Sequence, residues 1–286
     1  MDELSEQQGF SARLATAVAK SGPLCAGIDP SAALLAQWGL SDDAEGLHTF
    51  GMRCIEAFAG LVPVVKPQVA FFERFGARGM AALESILAAA RACDLMVIGD
   101  AKRGDIGTTS AAYASAWLDP ASTLRVDAMT VAPYLGLGAL RPILDLAGQH
   151  GRGVIVVVRS SNPEGRGLQL ALTDGGRGPA VEDMLLDQIA GLNHGGDLPP
   201  GTVGAVIGAT LAPSSFDLAT LGGTILAPGV GAQGGTAKEV AALFSGCPPG
   251  SVVASASRSI LSHGPDVQSL ARAAGRELYE MAEALS

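Results

Sequence analysis

The stretch Leu95-Met96-Val97-Ile98, followed after Gly99 by Asp100-Ala101-Lys102-Arg103-Gly104-Asp105-Ile106-Gly107-Thr108-Thr109, sets the pattern of the whole chain. An apolar run of strand length meets a cluster of charge, helical spacing follows over Ser110–Leu118, and a new apolar run opens at Ala128. A strand with one face in water would alternate polar and apolar residues, so a continuous apolar run reads as a strand buried on both faces. Outward from this unit, such runs recur at Leu24–Ile28, Val62–Val69, Leu95–Ile98, Ala128–Ala132, Val154–Val158, Val203–Ile207, Thr224–Ala227 and Val252–Ala256. Helical spacing fills most of the gaps, over Met80–Cys93, Ser110–Leu118, Gly138–Gln149, Val181–Leu192, Ser214–Leu221, Ala237–Phe244 and from Pro265 to Leu285. Eight strand–helix units in about 250 residues predict a closed (β/α)₈ barrel of the TIM type. The expected organisation is one α/β domain over residues 1–286, with a helix before the first strand. A doubly wound open sheet is the competing architecture. Two loops stand out: Asn162–Pro179 follows the fifth strand, on the catalytic face of a barrel, and Asn193–Gly201 precedes the sixth, on the other face.

Composition narrows the partners. A formal charge of −9 over 286 residues argues against a nucleic-acid groove or an anionic membrane surface. Cys25, Cys54, Cys93 and Cys247 form no C-x-x-C pair, which suits reduced thiols in a cytoplasmic protein rather than a zinc knuckle or redox motif. The N-terminus carries Asp2, Glu3 and Glu6 in place of a basic-then-apolar signal, and no apolar stretch approaches spanning length, so neither export nor membrane insertion is expected.

In a barrel, residues just past each strand rim one pocket. Here they are Asp29, then Lys66 within the second run, then Asp100, Lys102 and Asp105, then Arg159-Ser160-Ser161-Asn162, then Pro228–Gly235, then Ser257-Arg258-Ser259. Side chains two apart on a strand share a face, so Asp100 and Lys102 project together while Ala101 and Arg103 point away. A solvated salt-bridge network is the plain explanation for such a cluster. Burying charges costs several kcal/mol per ion unless they are paired, however, which points to function. Lys66 is either an edge residue that snorkels outward or a partner of Asp100. Gly229–Gly235 with Arg258 reads as an anion cradle, its glycines allowing close backbone approach and its arginine offering a fork for phosphate; a flexible turn beside a surface arginine is the alternative. His48, His150, His194 and His263 show no ligand spacing, and neither a metal centre, a cofactor nor a Ser-His-Asp triad is indicated.

These residues in this order resemble the orotidine 5′-monophosphate decarboxylase family. The D-x-K-x-x-D core at Asp100, Lys102 and Asp105 is the most specific element; Lys66, Pro228–Gly235 and Arg258–Ile260 also match, and the Ala-Lys-Arg-Gly wording is similar to the longer bacterial subgroup. The resemblance implies cofactor-free decarboxylation of orotidine 5′-monophosphate to uridine 5′-monophosphate. It makes Lys102, Asp100, Asp105 and Lys66 catalytic, places Asp29 with Lys66 at the ribose, Ser161 at the base, and Gln233, Gly234 and Arg258 at the phosphate. It further implies a homodimer in which Asp105 and Thr109 enter the partner's site. A magnesium-dependent sugar-phosphate enzyme on a similar barrel and a barrel that only binds a nucleotide are the competing readings.

Overall fold

The computed structural model describes residues 8–211, 216–230 and 236–285. Eight strands form a closed, all-parallel barrel in sequence order: β1 (Leu24–Ile28), β2 (Val64–Pro67), β3 (Met96–Arg103), β4 (Ala128–Val131), β5 (Gly153–Arg159), β6 (Val203–Ile207), β7 (Ile225–Pro228) and β8 (Val252–Ala256). Closure is made by β1 against β8, in the register Leu24↔Ala254 to Ala26↔Ala256. The helices are α1 (Phe10–Ser21), α2 (Ala32–Gln37), α3 (Ala44–Phe58), α4 (Ala70–Glu73), α5 (Gly76–Ala92), α6 (Gly107–Leu118), α7 (Arg141–Gln149), α8 (Arg166–Gln169), α9 (Val181–His194), α10 (Ala237–Leu243), α11 (Arg258–Leu261) and α12 (Val267–Ala284).

The apolar runs are continuous because alternate residues feed two separate cores. Cys25, Val64, Ile98, Ala128, Ile155, Val206, Leu226 and Val253 point inward as one buried cluster, whereas Ala26, Val65, Val97, Met129, Val156, Ala205, Ala227 and Ala254 face the helices in another. The inner cluster is completed from below by Phe10, Leu14 and Val18, one stripe of α1 at helical spacing. Phe10 seats on Gly153 at the start of β5, where any side chain would overlap its ring. Removing such a fully buried ring costs about 3–5 kcal/mol. With this end plugged, the C-terminal strand ends are left as the open mouth.

The strand positions agree with the sequence pattern; several helical segments do not, among them the short helices Ala32–Gln37, Ala70–Glu73 and Arg166–Gln169, which the pattern leaves unassigned. Ala44–Phe58, capped by the Asp43 carboxylate accepting from Gly46 N at 2.8 Å, is a helix that the pattern did not assign. The expected helix Ser214–Leu221 is instead a single 3₁₀ turn at Leu218–Thr220, and Ser214 lies outside the described residues. Asp217 closes that turn by accepting from Ala219 N, and Gly222 at φ +72° ends it before a helix can propagate. Among the described residues no helix is long and apolar enough to cross a membrane.

Candidate active site

The site is built on inward positions two residues beyond the apolar layer: Lys66 follows Val64, Asp100 follows Ile98 and Thr130 follows Ala128. Asp100 is the hub. Its Oδ2 accepts from Lys66 Nζ at 2.9 Å and its Oδ1 from Lys102 Nζ at 2.6 Å. Oδ1 also accepts from the Thr130 hydroxyl at 2.9 Å. Lys66 and Asp100 side chains are each 9% exposed, whereas Lys102 is 48% exposed, so the second lysine is the one presented to the mouth.

Asp100 and Lys102 do converge, but not through plain alternation. Between the registers Gly99↔Met129 and Arg103↔Val131, β3 has three residues where β4 has only Thr130. This bulge places Lys102 in the left-handed region at φ +47°, a conformation that costs a non-glycine residue about 1–2 kcal/mol. Thr130 holds it there, because its Oγ1 accepts from Lys102 N at 3.0 Å while donating to Asp100. Beyond the bulge Gly104 passes so close to the Ala132 carbonyl that no side chain would fit. Arg103 turns outward to an ion pair with Glu73 and lies over the Tyr113 ring at 5.6 Å.

Charge pairing outweighs burial at both buried groups. Burial pushes the Asp100 carboxyl up, yet Lys66 and Lys102 hold it at about 2. Burial likewise pulls the Lys66 ammonium down, but Asp100 and then Asp29 raise it above the ordinary lysine value. Both stay ionised across the neutral range. Beneath them Cys25 is pushed up to about 12, chiefly by burial, and is an inert thiol.

Asp29, past the end of β1, accepts from Ser257 Oγ through Oδ2 at 2.5 Å. Its Oδ1 is buried with no hydrogen-bond partner among the described residues, an acceptor left open beside Lys66. Arg258 opens α11 after β8, exposed at the same end of the barrel. Gln233 and Gly234 lie outside the described residues. Ser161 follows β5 at the mouth, with its backbone against Gly208 after β6. Among the described residues Asp105 makes no bond to the cluster; its carboxylate accepts from Ile106 N at 2.8 Å, and Thr109 is exposed in the first turn of α6.

One rim residue is misplaced by the sequence pattern. Arg159 was expected at the pocket, but Val157↔Val206 is followed by Arg159↔Ile207, an extra residue that turns it to the outer face. There its Nε meets Glu182 of α9 at 2.8 Å. Ser257, one of the rim residues, does join the site through Asp29, and Thr130 belongs to it although the sequence pattern does not single it out. The only signal for Thr130 was one hydroxyl in the run Ala-Met-Thr-Val-Ala at the same strand depth as the charges.

A family model described as "Orotidine 5'-phosphate decarboxylase / HUMPS family" matches residues 22–273. The orotidine 5'-phosphate decarboxylase of Salinispora arenicola is 50% identical over 279 residues, 98% of this chain and 99% of the relative. That of Streptomyces coelicolor is 49% identical over 278 residues, 97% of this chain and 98% of the relative. A solved structure from Streptomyces avermitilis superposes with a TM-score of 0.92 at 48% identity, covering 100% of this chain and 99% of its own. The Leishmania donovani OMP decarboxylase structure gives 0.74 at 26% identity, with 97% and 98% covered.

Proposed function

The chain belongs to the orotidine 5′-phosphate decarboxylase / HUMPS family, and on that premise we propose that its barrel mouth decarboxylates orotidine 5′-monophosphate to uridine 5′-monophosphate, with Lys102 as the proton donor. The observation that carries this reading is the single carboxylate of Asp100 holding two ammonium groups, one buried and one facing the open mouth.

When the C6–carboxylate bond of the substrate breaks, carbon dioxide leaves and the electron pair stays on C6, in the ring plane. No ring carbonyl is placed to take up that charge directly, so it must be met by fixed charge nearby. The Lys102 ammonium supplies it and then transfers a proton to C6, and the resulting amine is reprotonated from solvent. Because Asp100, Thr130 and the bulge already hold Lys102, little reorganisation accompanies the change of charge, the arrangement that makes electrostatic stabilisation effective. Asp100 sits beside the departing carboxylate. Asp29, with its open Oδ1, and Lys66 receive the ribose hydroxyls. Ser161 contacts the base, and Gln233, Gly234 and Arg258 take the phosphate, whose binding energy holds the reactive geometry from a distance.

The active unit in this reading is a homodimer, each chain placing Asp105 and Thr109 in the other's pocket. Support comes from the surface beside them: Ile106 is 62% exposed, Tyr134 78% and Leu135 54%, an apolar group at the ends of β3 and β4 next to Asp105, whose carboxylate is engaged among the described residues only by Ile106 N. The four free cysteines, two of them buried, suit a cytoplasmic enzyme. Residues 1–286 act as one barrel unit.

The competing sugar-phosphate chemistry on this fold would stabilise an enediolate with a divalent ion, and a binding-only barrel would turn nothing over. The purified chain is mixed with orotidine 5′-monophosphate after dialysis against EDTA, and loss of orotidine absorbance is followed. Turnover insensitive to chelation is the expected result. Binding without turnover, or turnover restored only by a divalent ion, overturns the reading.

A further inference from the structure

The face of the barrel opposite the active site carries a cavity of about 490 Å³ lined by charged side chains, at the N-terminal ends of β3, β4 and β5. Four guanidinium groups line it, from Arg13 on α1, Arg91 at the end of α5, Arg125 before β4 and Arg152 before β5, against the carboxylates of Asp94 and Asp127; His150 is the remaining titratable neighbour. In a chain of net charge −9, this pocket holds two more arginines than carboxylates.

The arginines divide into two kinds. Arg13 and Arg152 both reach Asp127 Oδ1, at 2.8 and 3.2 Å, and Asp127 Oδ2 accepts from Val97 N at 2.9 Å, so this carboxylate is fully used in tying α1 to the strand ends. Arg91 and Arg125 make no ion pair among the described residues. Arg91 donates to the Arg125 and Thr123 carbonyls at 3.0 and 3.5 Å, and Arg125 to the Ser122 carbonyl at 3.1 Å. Carbonyls fix their orientation without neutralising them. The Arg91 guanidinium is held below its ordinary value, first by burial and then by Arg125, with Arg152 adding to it against Asp127, so positive charge outweighs negative at this spot. Preset guanidinium forks around a cavity suit phosphate oxygens, and the volume is within the range of small-molecule sites.

We propose that this cavity binds a linear oligophosphate, either free or as the phosphate chain of a nucleotide, with Arg91 and Arg125 as its principal ligands. Several phosphoryl groups are called for because the two arginines without an ion pair stand on separate segments, Arg91 at the end of α5 and Arg125 before β4, and line a cavity of about 490 Å³, larger than one small anion fills.

Calorimetric titration of the full chain in magnesium-free buffer, with tripolyphosphate and with ATP at fixed ionic strength, tests this. Three proteins are compared: wild type, the double variant Arg91→Gln/Arg125→Gln, and Arg258→Ala, which removes the phosphate ligand assigned at the other face. Saturable binding that survives in Arg258→Ala and weakens at least tenfold in the double variant is expected. Equal affinity for both ligands identifies the bare phosphate chain, and tighter ATP binding identifies a nucleotide. Decarboxylation and thermal unfolding of the double variant should match wild type, showing an intact barrel. The proposal is overturned if neither ligand binds, if sulfate at equal ionic strength reproduces the heat, or if the double variant binds as wild type does.

Discussion

Replacing Thr130 by valine removes one oxygen atom and almost no volume, so the perturbation isolates what that hydroxyl does. It donates to Asp100 Oδ1 at 2.9 Å and accepts from Lys102 N at 3.0 Å at a position with no solvent exposure. A hydrogen bond to a charged acceptor contributes about 1.5–3 kcal/mol, and a partly buried N–H left unpaired costs about 1–3 kcal/mol. These two effects share one residue and are not additive, so a loss of about 2–4 kcal/mol in folding stability is expected. The catalytic consequence is separate. Lys102 sits in the left-handed region, and the substitution removes the side-chain bond that ties its N–H to β4, leaving only the Arg103↔Val131 pairing beyond it. Relaxation of the bulge moves the ammonium off its aim, and a tenfold to hundredfold fall in kcat corresponds to about 1.4–2.8 kcal/mol at the barrier. Steady-state kinetics on Thr130→Val and Thr130→Ser, with urea unfolding of each, separate the two effects. The serine variant keeps both bonds and should retain most activity, with KM little changed in either. A folded Thr130→Val enzyme with kcat within twofold of wild type would refute the reasoning.

Arg258→Ala should weaken substrates bearing the 5′-phosphate far more than the bare nucleoside, since a charge-assisted contact is lost only for the former; equal losses would remove Arg258 from the phosphate site. Stability should depend on acid through Asp100. Its folded value of about 2 lies below the ordinary 3.8, so its contribution, about 2 kcal/mol, is complete above roughly pH 5 and is lost as pH falls through the folded value. Lys66 is raised, so its contribution is present below the ordinary lysine value and is lost only as pH rises past the folded one. Urea unfolding between pH 3 and 7 should show the acid slope in wild type and a reduced one in Asp100→Asn; identical slopes would contradict the pairing. Mixing inactive Lys102→Ala and Asp105→Ala homodimers under conditions of subunit exchange should make about a quarter of all pockets wild type. Exchange confirmed by mass spectrometry without recovered activity would place Asp105 in its own chain's site.

The barrel was readable because its strands are apolar on both faces, which leaves runs such as Val203–Ile207 and Val252–Ala256 with the same limits in sequence and structure. Helix α3 was harder to see. Leu47, Phe50, Cys54 and Phe58 have helical spacing, but Gly46 and Gly51 interrupt the propensity. Gly51 is there because Ile86 of α5 packs onto its backbone, a tertiary reason invisible locally. Within the site, Lys66 announced itself as a charge in an apolar run, and Asp100 with Lys102 as acid and base at a strand end. The two bulges did not. One hides behind a spacing that happens to bring Asp100 and Lys102 together anyway, and the other turns Arg159 away from the pocket. Extra residues in a strand are set by pairing with neighbours, so hydrophobic periodicity carries little trace of them.

The most direct test of the account is the fate of Lys102. In Lys102→Ala, uridine 5′-monophosphate should still bind measurably, because the phosphate and ribose contacts remain. Single-turnover decarboxylation should fall by more than the roughly 10²–10³ expected for loss of one preorganised donor, since the proton source is lost as well. Retention of more than a tenth of wild-type turnover by a variant that still binds the product would contradict the assignment of Lys102 as the group that stabilises and protonates C6.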